Sequence, residues 1–258
     1  LLLNNQLYNN LLLNYNIHII IQARMTSTRL PGKVLLPLCG KTVLEIIIDR
    51  LKKYKRNIII ATTNDGTEIP IVEICKRENI KYYRGSTNNV LERYYLSAIK
   101  FNAHESDIVV RITSDCPLID VDLLDNCIKM YNSQEYDYVS NRLNRTIPIG
   151  LDVEVFSFKL LKYMHKNAKE EFEKEHVTTY IYLTKKNKYK LGSCEEYDNN
   201  SQYRLALDEH DDYKAIKEVY KKFDNKIDFS YDELIRLLTN NQYIMDINSS
   251  VHQKRVTR

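Results

Sequence analysis

The stretch IHIIIQARMTSTRLPGK (17–33) decides the fold, because a run of β-branched residues leads directly into a polar, basic loop. Its first part, IHIII (17–21), is typical of a buried strand. Open α/β sheets bind their ligands beyond the carboxyl ends of the strands, so the following loop is the first place to search for a site. This stretch therefore predicts a strand that ends at a ligand-binding loop.

The rest of the chain repeats this order of strand and helix. Strands are predicted at 17–21, 57–63, 107–113 and 136–141, and later at 151–157 and 203–207. Apolar residues at helical spacing predict helices at 42–54, 68–79, 88–101, 122–132, 158–185, 211–223 and 231–239. This alternation predicts an α/β fold with a Rossmann-like, mostly parallel sheet between two layers of helices.

Composition excludes several classes of protein. The chain has 38 Lys and Arg against 34 Asp and Glu, and the net charge of +4 gives no reason to expect a nucleic-acid partner. The five cysteines form no C-x-x-C pair, which argues against a zinc or redox motif and for a reducing compartment. No run approaches the roughly 18 apolar residues of a membrane span. We therefore expect a cytoplasmic protein without a membrane partner.

The sequence divides into three parts. Asn interrupts the apolar residues of 1–16 throughout, and we interpret this stretch as an extension or linker. No repeat or Pro/Gly linker divides 17–247, which we expect to form one domain. A turn-rich connection opens an excursion over about 142–200, and residues 248–258 form a C-terminal tail in this interpretation.

The loop 22–33 carries the cations Arg24, Arg29 and Lys33, several hydroxyl side chains and a Gly-containing turn. Charge-assisted donors and accessible backbone N–H groups bind phosphate oxygens, so a triphosphate fits this loop. The alternative is a solvated basic loop, and the position directly after a buried strand favours the first interpretation. Two known phosphate loops are excluded, because Leu35 stands where a Walker A loop needs Gly and no G-x-G-x-x-G occurs.

Two carboxylates follow predicted strands. Asp115 comes just after 107–113, and Asp208 is the first polar residue after 203–207. Because both strand ends face the same edge as the basic loop, these carboxylates are placed to bind a metal beside a triphosphate. Mg²⁺ typically takes one or two carboxylates together with phosphate oxygens and water. The alternative for Asp115 is a turn or helix-capping residue.

Weaker candidates lie later in the chain. Asp152 and Glu154 project from one face of a predicted strand, where they can contact a second small molecule besides the triphosphate, which we call the acceptor. Glu175 and His176 lie in a predicted helix, and a lone His at such a place is usually a surface or capping residue. We treat all four residues as candidate acceptor contacts.

Seven segments occur in one order over about residues 17 to 255: IIIQARMTSTRLPGKVL, ATTND, YRGSTNNVLERYY, RITSDCPLID, GLDVEVF, EHVTTYIY and LALDEHDDY. Together they resemble the cytidylyltransferase family that includes CMP-ulosonic acid synthetases, and most closely its branch of spore-coat polysaccharide biosynthesis proteins. The resemblance implies a nucleotide-diphospho-sugar transferase fold, Mg²⁺ as the cofactor and CTP as the nucleotide partner. Dimerisation is common among such relatives, so the resemblance is compatible with a homodimer.

The resemblance also implies roles for individual residues. Arg24 and Lys33 resemble the family's phosphate contacts and Asp115 and Asp208 its magnesium ligands, so these four are expected to be catalytic. Nucleotide contacts are expected from Gln22, Ala23, Arg24, Lys33, Thr63, Ser86, Arg93, Arg111 and Ser114. Ser114 departs from this branch, which commonly carries Gly there, and Arg111 departs from the sialic-acid-type synthetases, which carry Gln.

The family reaction is attack by an acceptor oxygen on the α-phosphate of a nucleoside triphosphate, with loss of pyrophosphate. Cations and Mg²⁺ suffice for such a transfer, so no Cys or Ser nucleophile is required. We expect transfer of CMP from CTP to a sugar, an ulosonic acid or a phosphorylated metabolite, and the sequence leaves the acceptor open. A metal-dependent glycosyltransferase that consumes a nucleotide sugar and a non-catalytic nucleotide-binding module are the alternatives.

Overall fold

A computed structural model describes residues 16–253, and its centre is a seven-stranded sheet with the strand order β5-β4-β1-β6-β8-β7-β9. The remaining two strands, β2 and β3, form a short antiparallel hairpin. The strands are β1 (Ile17–Gln22), β2 (Pro37–Leu38), β3 (Lys41–Thr42), β4 (Ile58–Thr63), β5 (Lys81–Gly85), β6 (Ile108–Thr113), β7 (Tyr138–Ser140), β8 (Glu154–Ser157) and β9 (Leu191–Ser193).

Helices cover both faces of this sheet. They are α1 (Val43–Arg50), α2 (Ile69–Arg77), α3 (Val90–Lys100), α4 (Val121–Tyr131), α5 (Phe158–Asn167), α6 (Glu171–His176), α7 (His210–Lys222), α8 (Tyr231–Asn240) and α9 (Tyr243–Asp246). Shorter helical turns lie at Lys33–Leu35, Lys52–Asn57 and Tyr180–Thr184. Among the residues that the model describes, no helix has the length and apolar composition needed to cross a bilayer.

The core lies on both sides of the sheet because successive side chains of a strand point to opposite faces. In β1, Ile19 and Ile21 belong to one buried cluster, and Ile20 belongs to the other. All three are fully buried, which stabilises the fold by about 2 kcal/mol for each side chain. A strand buried on both faces needs the unbroken apolar run that the sequence shows here.

The strand order brings the site to one edge. The strand β1 pairs in parallel with β4 on one side and with β6 on the other. The chain therefore first extends the sheet on one side of β1 and later on the opposite side. A crevice forms at the carboxyl ends of strands where the order reverses in this way. The loop after β1 and the segment after β6 therefore face each other across this crevice.

The predicted α/β fold with its mostly parallel sheet is confirmed, and most predicted elements lie within a few residues of the observed ones. The strand predicted at 203–207 is wrong: this segment makes a single bridge, between Ile149 and Arg204. The continuous helix predicted at 158–185 is also wrong. It is divided into α5, α6 and a helical turn, because Ala168 is extended and Val177 has a positive φ of 61°.

The predicted limits of the domain can be compared only in part. The extension predicted at 1–16 lies outside the described residues except for Asn16, and the tail is described as far as Gln253. The range 142–200, expected as an excursion, contributes β8 and β9 to the main sheet. This matters for the site, because β8 carries Glu154 directly beside β6.

Candidate active site

A cavity of about 610 Å³ opens at the carboxyl ends of β1 and β6. Its volume lies in the range of small-molecule and cofactor sites. It is lined by residues of the loop after β1, the segment after β6, the N-terminal part of α3, the chain around β8 and the segment before α7. Charged side chains of both signs converge in it, which is the arrangement needed to hold an anionic ligand together with a cation.

The loop after β1 places Arg24 and Lys33 at this cavity. Gly32 adopts a left-handed conformation with a φ of 69°, and its N–H donates a hydrogen bond of 2.8 Å to the carbonyl of Met25. This tight closure turns the loop back so that Lys33 begins a helical turn facing the crevice. Arg24 is half-buried at the cavity and makes no hydrogen bond or ion pair with any described residue. Its guanidinium is available to a ligand.

Lys33 joins the two predicted metal ligands. Its Nζ lies 3.0 Å from Oδ1 of Asp208 and 3.4 Å from Oδ2 of Asp115, and it donates a hydrogen bond of 2.7 Å to the carbonyl of Leu207. Burial opposes the charged form of Lys33, but the two carboxylates outweigh it and raise its pKa. The same ammonium lowers the pKa of Asp115 against the effect of burial. Asp115 is therefore ionised at neutral pH.

Asp208 is held by two further cations. Arg29 and Arg204 each place Nη2 at 3.0 Å from its Oδ2. Arg204 is itself fixed by Asp212, whose Oδ1 lies 2.9 Å from Nε and whose Oδ2 accepts the backbone N–H of Asp208 at 3.0 Å. The start of α7 thus orients Asp208 through Asp212, which the sequence correctly predicts to lie at the beginning of a helix.

The donor set fits a hard divalent cation. Within residues 16–253 no cluster of three or more His, Cys, Asp or Glu side chains is present that could hold a metal without help. Asp115, Asp208 and the carbonyl of Leu207 nevertheless supply three oxygens, all within 3.4 Å of Nζ of Lys33. Because Mg²⁺ usually takes only one or two carboxylates and completes its shell with phosphate and water, this set suits it.

Glu154 forms the centre of a second cluster. Its carboxylate is almost completely buried and pairs with the guanidinium of Arg111, its direct neighbour across the β6–β8 ladder. Arg142 lies 3.2 Å from the same Oε1 atom, and Tyr138 donates a hydrogen bond of 2.7 Å to Oε2. Thr178 also donates to Oε2. Burial would raise the pKa of Glu154, but these partners outweigh it and hold the pKa at about 2.

The Glu154 cluster has one surplus positive charge at the cavity, since two guanidinium groups share one carboxylate. Among the described residues, the buried Nε of Arg111 has no hydrogen-bond partner. Its Nη2 donates a hydrogen bond of 3.1 Å to the side-chain oxygen of Gln22. This end of the cavity is therefore suited to an anion.

His176 reaches the same end from the last residue of α6. The next residue, Val177, has φ 61° and ψ −67°, a conformation that a β-branched residue adopts only under strain. The turn directs Thr178 to Glu154 while His176 lines the cavity. Burial lowers the pKa of His176; Glu175 opposes this effect, and Arg111 and Arg142 add to it. His176 is therefore neutral at pH 7.

Arg93 lies on α3, which packs against α6. It is almost fully buried, and its Nη1 donates hydrogen bonds to the carbonyls of Ser86 at 2.8 Å and Thr87 at 3.3 Å. The Thr87 hydroxyl donates in turn to Asp65 at 2.9 Å. Burial lowers the pKa of Arg93 to about 10, and the nearby Arg24 contributes to this lowering. No carboxylate of the described chain pairs with Arg93, so its charge is free for a ligand.

Most of the residues selected from the sequence line this one cavity. They are Gln22, Ala23, Arg24, Lys33, Arg93, Arg111, Ser114, Asp115, Asp152, Glu154, Glu175, His176 and Asp208. Two do not: Thr63 is fully buried at the end of β4, and Ser86 contributes its carbonyl to Arg93 but does not line the wall. Asp152 is engaged in a paired contact with Arg145, at 2.7 and 3.0 Å. Glu154 is fully engaged as well, so neither carboxylate is free.

Sequence reasoning missed several residues of the cavity. Arg142 is the most important, because it lies two residues beyond β7 and shares Glu154 with Arg111. The rule that polar residues after strands form the site could have found it. Glu171 and Gln253 also line the cavity, and nothing in the sequence marks them.

Comparison with known proteins agrees with this geometry. Residues 18–255 match the model of a protein family described as cytidylyltransferase. The chain belongs to the cytidylyltransferase family. It is thus a nucleotidyltransferase, and the resemblance found in the sequence is confirmed.

Two curated relatives align with this cytidylyltransferase along most of its length. A Methanocaldococcus jannaschii protein that carries no assigned activity is 41% identical over 239 residues, which cover 91% of this chain and 95% of that protein. The spore coat polysaccharide biosynthesis protein SpsF of Bacillus subtilis is 36% identical over 235 residues, covering 86% and 93%. Similarity to the spore-coat branch is therefore confirmed.

A solved structure is similar as well. A cytidylyltransferase from Leptospira borgpetersenii superimposes with a TM-score of 0.86 at 34% identity, covering 93% of this chain and 100% of that one. The two chains therefore share the arrangement of strands that positions the cavity.

Proposed function

We propose that this cytidylyltransferase transfers CMP from CTP to an oxygen of a small anionic acceptor, an ulosonic acid or a phosphorylated metabolite, with release of pyrophosphate. The observation that carries the proposal is the meeting of Arg24, Lys33, Asp115 and Asp208 in one cavity. Cations for a triphosphate and carboxylates for a metal come from distant parts of the chain to one place. This is the combination that nucleotidyl transfer needs.

The phosphates of CTP bind at the end formed by the loop after β1. Arg24 and Arg93 lack carboxylate partners among the described residues, so each offers a full positive charge. Arg93 also fixes the segment at Ser86 and Thr87, which closes the nucleotide end of the cavity. Guanidinium groups suit this task because they bind phosphate oxygens in a bidentate manner.

Asp115 and Asp208, with the carbonyl of Leu207, would hold the metal, for which we propose Mg²⁺. When bound, it supplies positive charge to the phosphate oxygens and lowers the pKa of a coordinated acceptor oxygen. Arg29 and Arg204 keep Asp208 in place for this role.

The chain itself supplies positioning and charge, and no protein nucleophile. Cys116 is the thiol nearest to the carboxylates, and burial together with Asp115 raises its pKa well above the usual range. It therefore stays protonated and unreactive. Direct attack by the acceptor oxygen on the α-phosphate is the reaction that remains.

The acceptor binds at the other end of the cavity. Arg111 and Arg142 share one carboxylate, so their surplus charge is available to a carboxylate or phosphate group of the acceptor. Glu154 acts here by orienting the two guanidinium groups, and Asp152 by its contact with Arg145. His176, neutral at pH 7, and the exposed Glu175 are placed to contact the hydroxyl or amino groups of the acceptor.

The similarity to SpsF supports a place in the biosynthesis of surface polysaccharides or other glycoconjugates. An anionic acceptor for such a reaction agrees with the surplus positive charge of Arg111 and Arg142.

The test is an incubation of the protein with each nucleoside triphosphate, Mg²⁺ and a panel of ulosonic acids and phosphorylated metabolites, while pyrophosphate is followed. We expect pyrophosphate release with CTP and at least one anionic acceptor, and a CMP conjugate in the mass spectrum. Release of a nucleoside diphosphate from a nucleotide sugar would favour a glycosyltransferase instead. Thermal stabilisation by CTP with Mg²⁺, but no turnover with any acceptor, would favour a binding module.

A further inference from the structure

The ammonium of Lys33 contacts three oxygens, and we call the position that it occupies between them the seat. Its Nζ lies 2.7 Å from the carbonyl of Leu207, 3.0 Å from Oδ1 of Asp208 and 3.4 Å from Oδ2 of Asp115. The seat is sheltered, since the side chains of Lys33 and Asp208 are only 12% and 10% exposed. Carboxylate and carbonyl oxygens are also the ligands that hard divalent cations prefer.

Each of the two carboxylates divides its oxygens between two tasks. Oδ2 of Asp208 accepts Arg29 and Arg204, while its Oδ1 faces Lys33 alone. Oδ1 of Asp115 accepts the hydroxyl of Thr113, while its Oδ2 faces Lys33. The contacts of Oδ2 of Asp208 and of Oδ1 of Asp115 fix the two carboxylates within the fold. The other oxygen of each carboxylate has Lys33 as its only partner among the described residues.

Lys33 and a divalent cation cannot occupy this seat together. Two like charges a few ångströms apart in a sheltered site repel each other strongly. Lys33 is able to leave, because a flexible four-carbon stem carries its ammonium and the residue opens a helical turn directly after the left-handed Gly32. Asp208 keeps Arg29 and Arg204 when Lys33 moves, so the carboxylate does not lose its position.

We propose that the ammonium of Lys33 is the resident cation of this seat and that a divalent cation replaces it, which releases Lys33 toward the phosphates of the nucleotide. The final part rests on the proposed function, since it needs a nucleotide in the cavity. Lys33 is then a positioning residue for Asp115 and Asp208 in the free enzyme and a phosphate contact in the loaded one. Metal without nucleotide has to compete with Lys33.

The test measures Mn²⁺ binding without nucleotide, by the loss of the electron paramagnetic resonance signal of free Mn²⁺. We expect Lys33→Met to bind Mn²⁺ about tenfold more tightly than the unmodified protein, because no charge-assisted hydrogen bonds have to be broken first. Lys41→Met is the matched control, since Lys41 pairs with Asp49 away from the cavity. The control should bind Mn²⁺ like the unmodified protein.

A double variant locates the effect. Lys33→Met combined with Asp208→Asn should lose the gain in affinity, since one seat oxygen then belongs to a neutral amide. Equal or weaker Mn²⁺ binding by Lys33→Met, or a gain that survives in the double variant, overturns the proposal. Lys33→Gln replaces Lys33→Met if the latter does not fold, because it keeps a hydrogen-bond donor without the charge.

A measurement on the unmodified protein keeps the proposal testable without any variant. The rate at which an acetylating reagent modifies Lys33 is followed by mass spectrometry as Mn²⁺ is added. A severalfold rise for Lys33, with no change for Lys41, is expected if Mn²⁺ displaces the ammonium. An unchanged rate at saturating Mn²⁺ would refute it. None of these experiments uses CTP or an acceptor, so their result is separate from the outcome of the turnover assay.

Discussion

Arg111 and Arg142 donate hydrogen bonds to the same atom, Oε1 of Glu154. Neutralising that carboxylate leaves two neighbouring guanidinium groups without a counter-charge in a buried place. We predict that Glu154→Gln lowers the free energy of unfolding by about 3 kcal/mol, measured by urea denaturation at pH 7. Glu105→Gln, at an exposed pair with Lys162, is the control and should leave the stability unchanged.

The same pair of proteins gives a prediction for pH. The pKa of Glu154 is held at about 2 in the folded chain, below its ordinary value of 4.5, so its contribution to stability is fully present above pH 4.5. It is lost as the pH falls from there through about 2. The difference in unfolding free energy between the unmodified protein and Glu154→Gln should therefore be constant from pH 5 to 7 and shrink below about pH 4.5. A difference that does not change down to pH 3 would contradict this assignment.

Asp208 is predicted to be essential for turnover. Asp208→Asn keeps the size of the side chain but removes the charge that faces Lys33 and the proposed metal, and kcat should fall by at least roughly 100-fold at saturating Mg²⁺. Asp211→Asn serves as the control, since the side chain of Asp211 is 41% exposed and Lys214 of the same helix is its only ion-pair partner among the described residues. Full turnover of Asp208→Asn at saturating Mg²⁺ would show that the metal assignment is wrong.

Arg142 is predicted to select the acceptor. For the acceptor that gives turnover in the panel, Arg142→Met should raise KM by about tenfold, because a charge-assisted hydrogen bond to its anionic group is lost. KM for CTP should stay the same, since the phosphates of CTP are proposed to bind Arg24 and Arg93, and Arg142 pairs with Glu154 instead. Arg236→Met, at an exposed position of α8, controls for the loss of a surface charge. An equal rise in both KM values would place Arg142 on the nucleotide.

Gly150 is predicted to tolerate no side chain. It has a φ of 104°, and a Cβ atom would lie 2.4 Å from the backbone of Leu205 and Ala206, the segment that leads to Asp208. Gly150→Ala should lower the free energy of unfolding by at least about 3 kcal/mol. Gly66→Ala shares the positive φ but meets nothing within 4 Å, so it should cost only about 1 kcal/mol. Equal losses in thermal denaturation would contradict the close approach at Gly150.

The central strands could be predicted because burial on both faces leaves an apolar run in the sequence, as in Ile19 to Ile21. The segment 203–207 has the same apolar composition, but it packs as a single bridge against Ile149, and Arg204 serves a buried ion pair. The strand β5 was missed because KYYRG, at the edge of the sheet, has no such run. An apolar composition therefore predicts that a segment is buried, but it does not predict which neighbouring segment it packs against.

The candidate site could likewise be predicted only where its residues follow apolar runs. Lys33, Asp115 and Asp208 could be predicted because each comes soon after an apolar run that ends at one edge. The pairing of Glu154 with Arg111 could not, because it depends on the antiparallel pairing of β8 with β6 and β7, which brings Arg111 and Ser140 opposite Glu154. That register cannot be inferred from the residues of one strand alone.

The contact between Lys33 and Asp208 joins residues that are 175 positions apart in the chain. At a synthesis rate of 5–20 residues per second, roughly 9 to 35 s pass on the ribosome between their additions. The loop that is proposed to receive the triphosphate is thus made long before the second carboxylate that would hold the metal. Under the proposed function, the nascent chain carries its phosphate-binding loop without a complete metal site until Asp208 has been added.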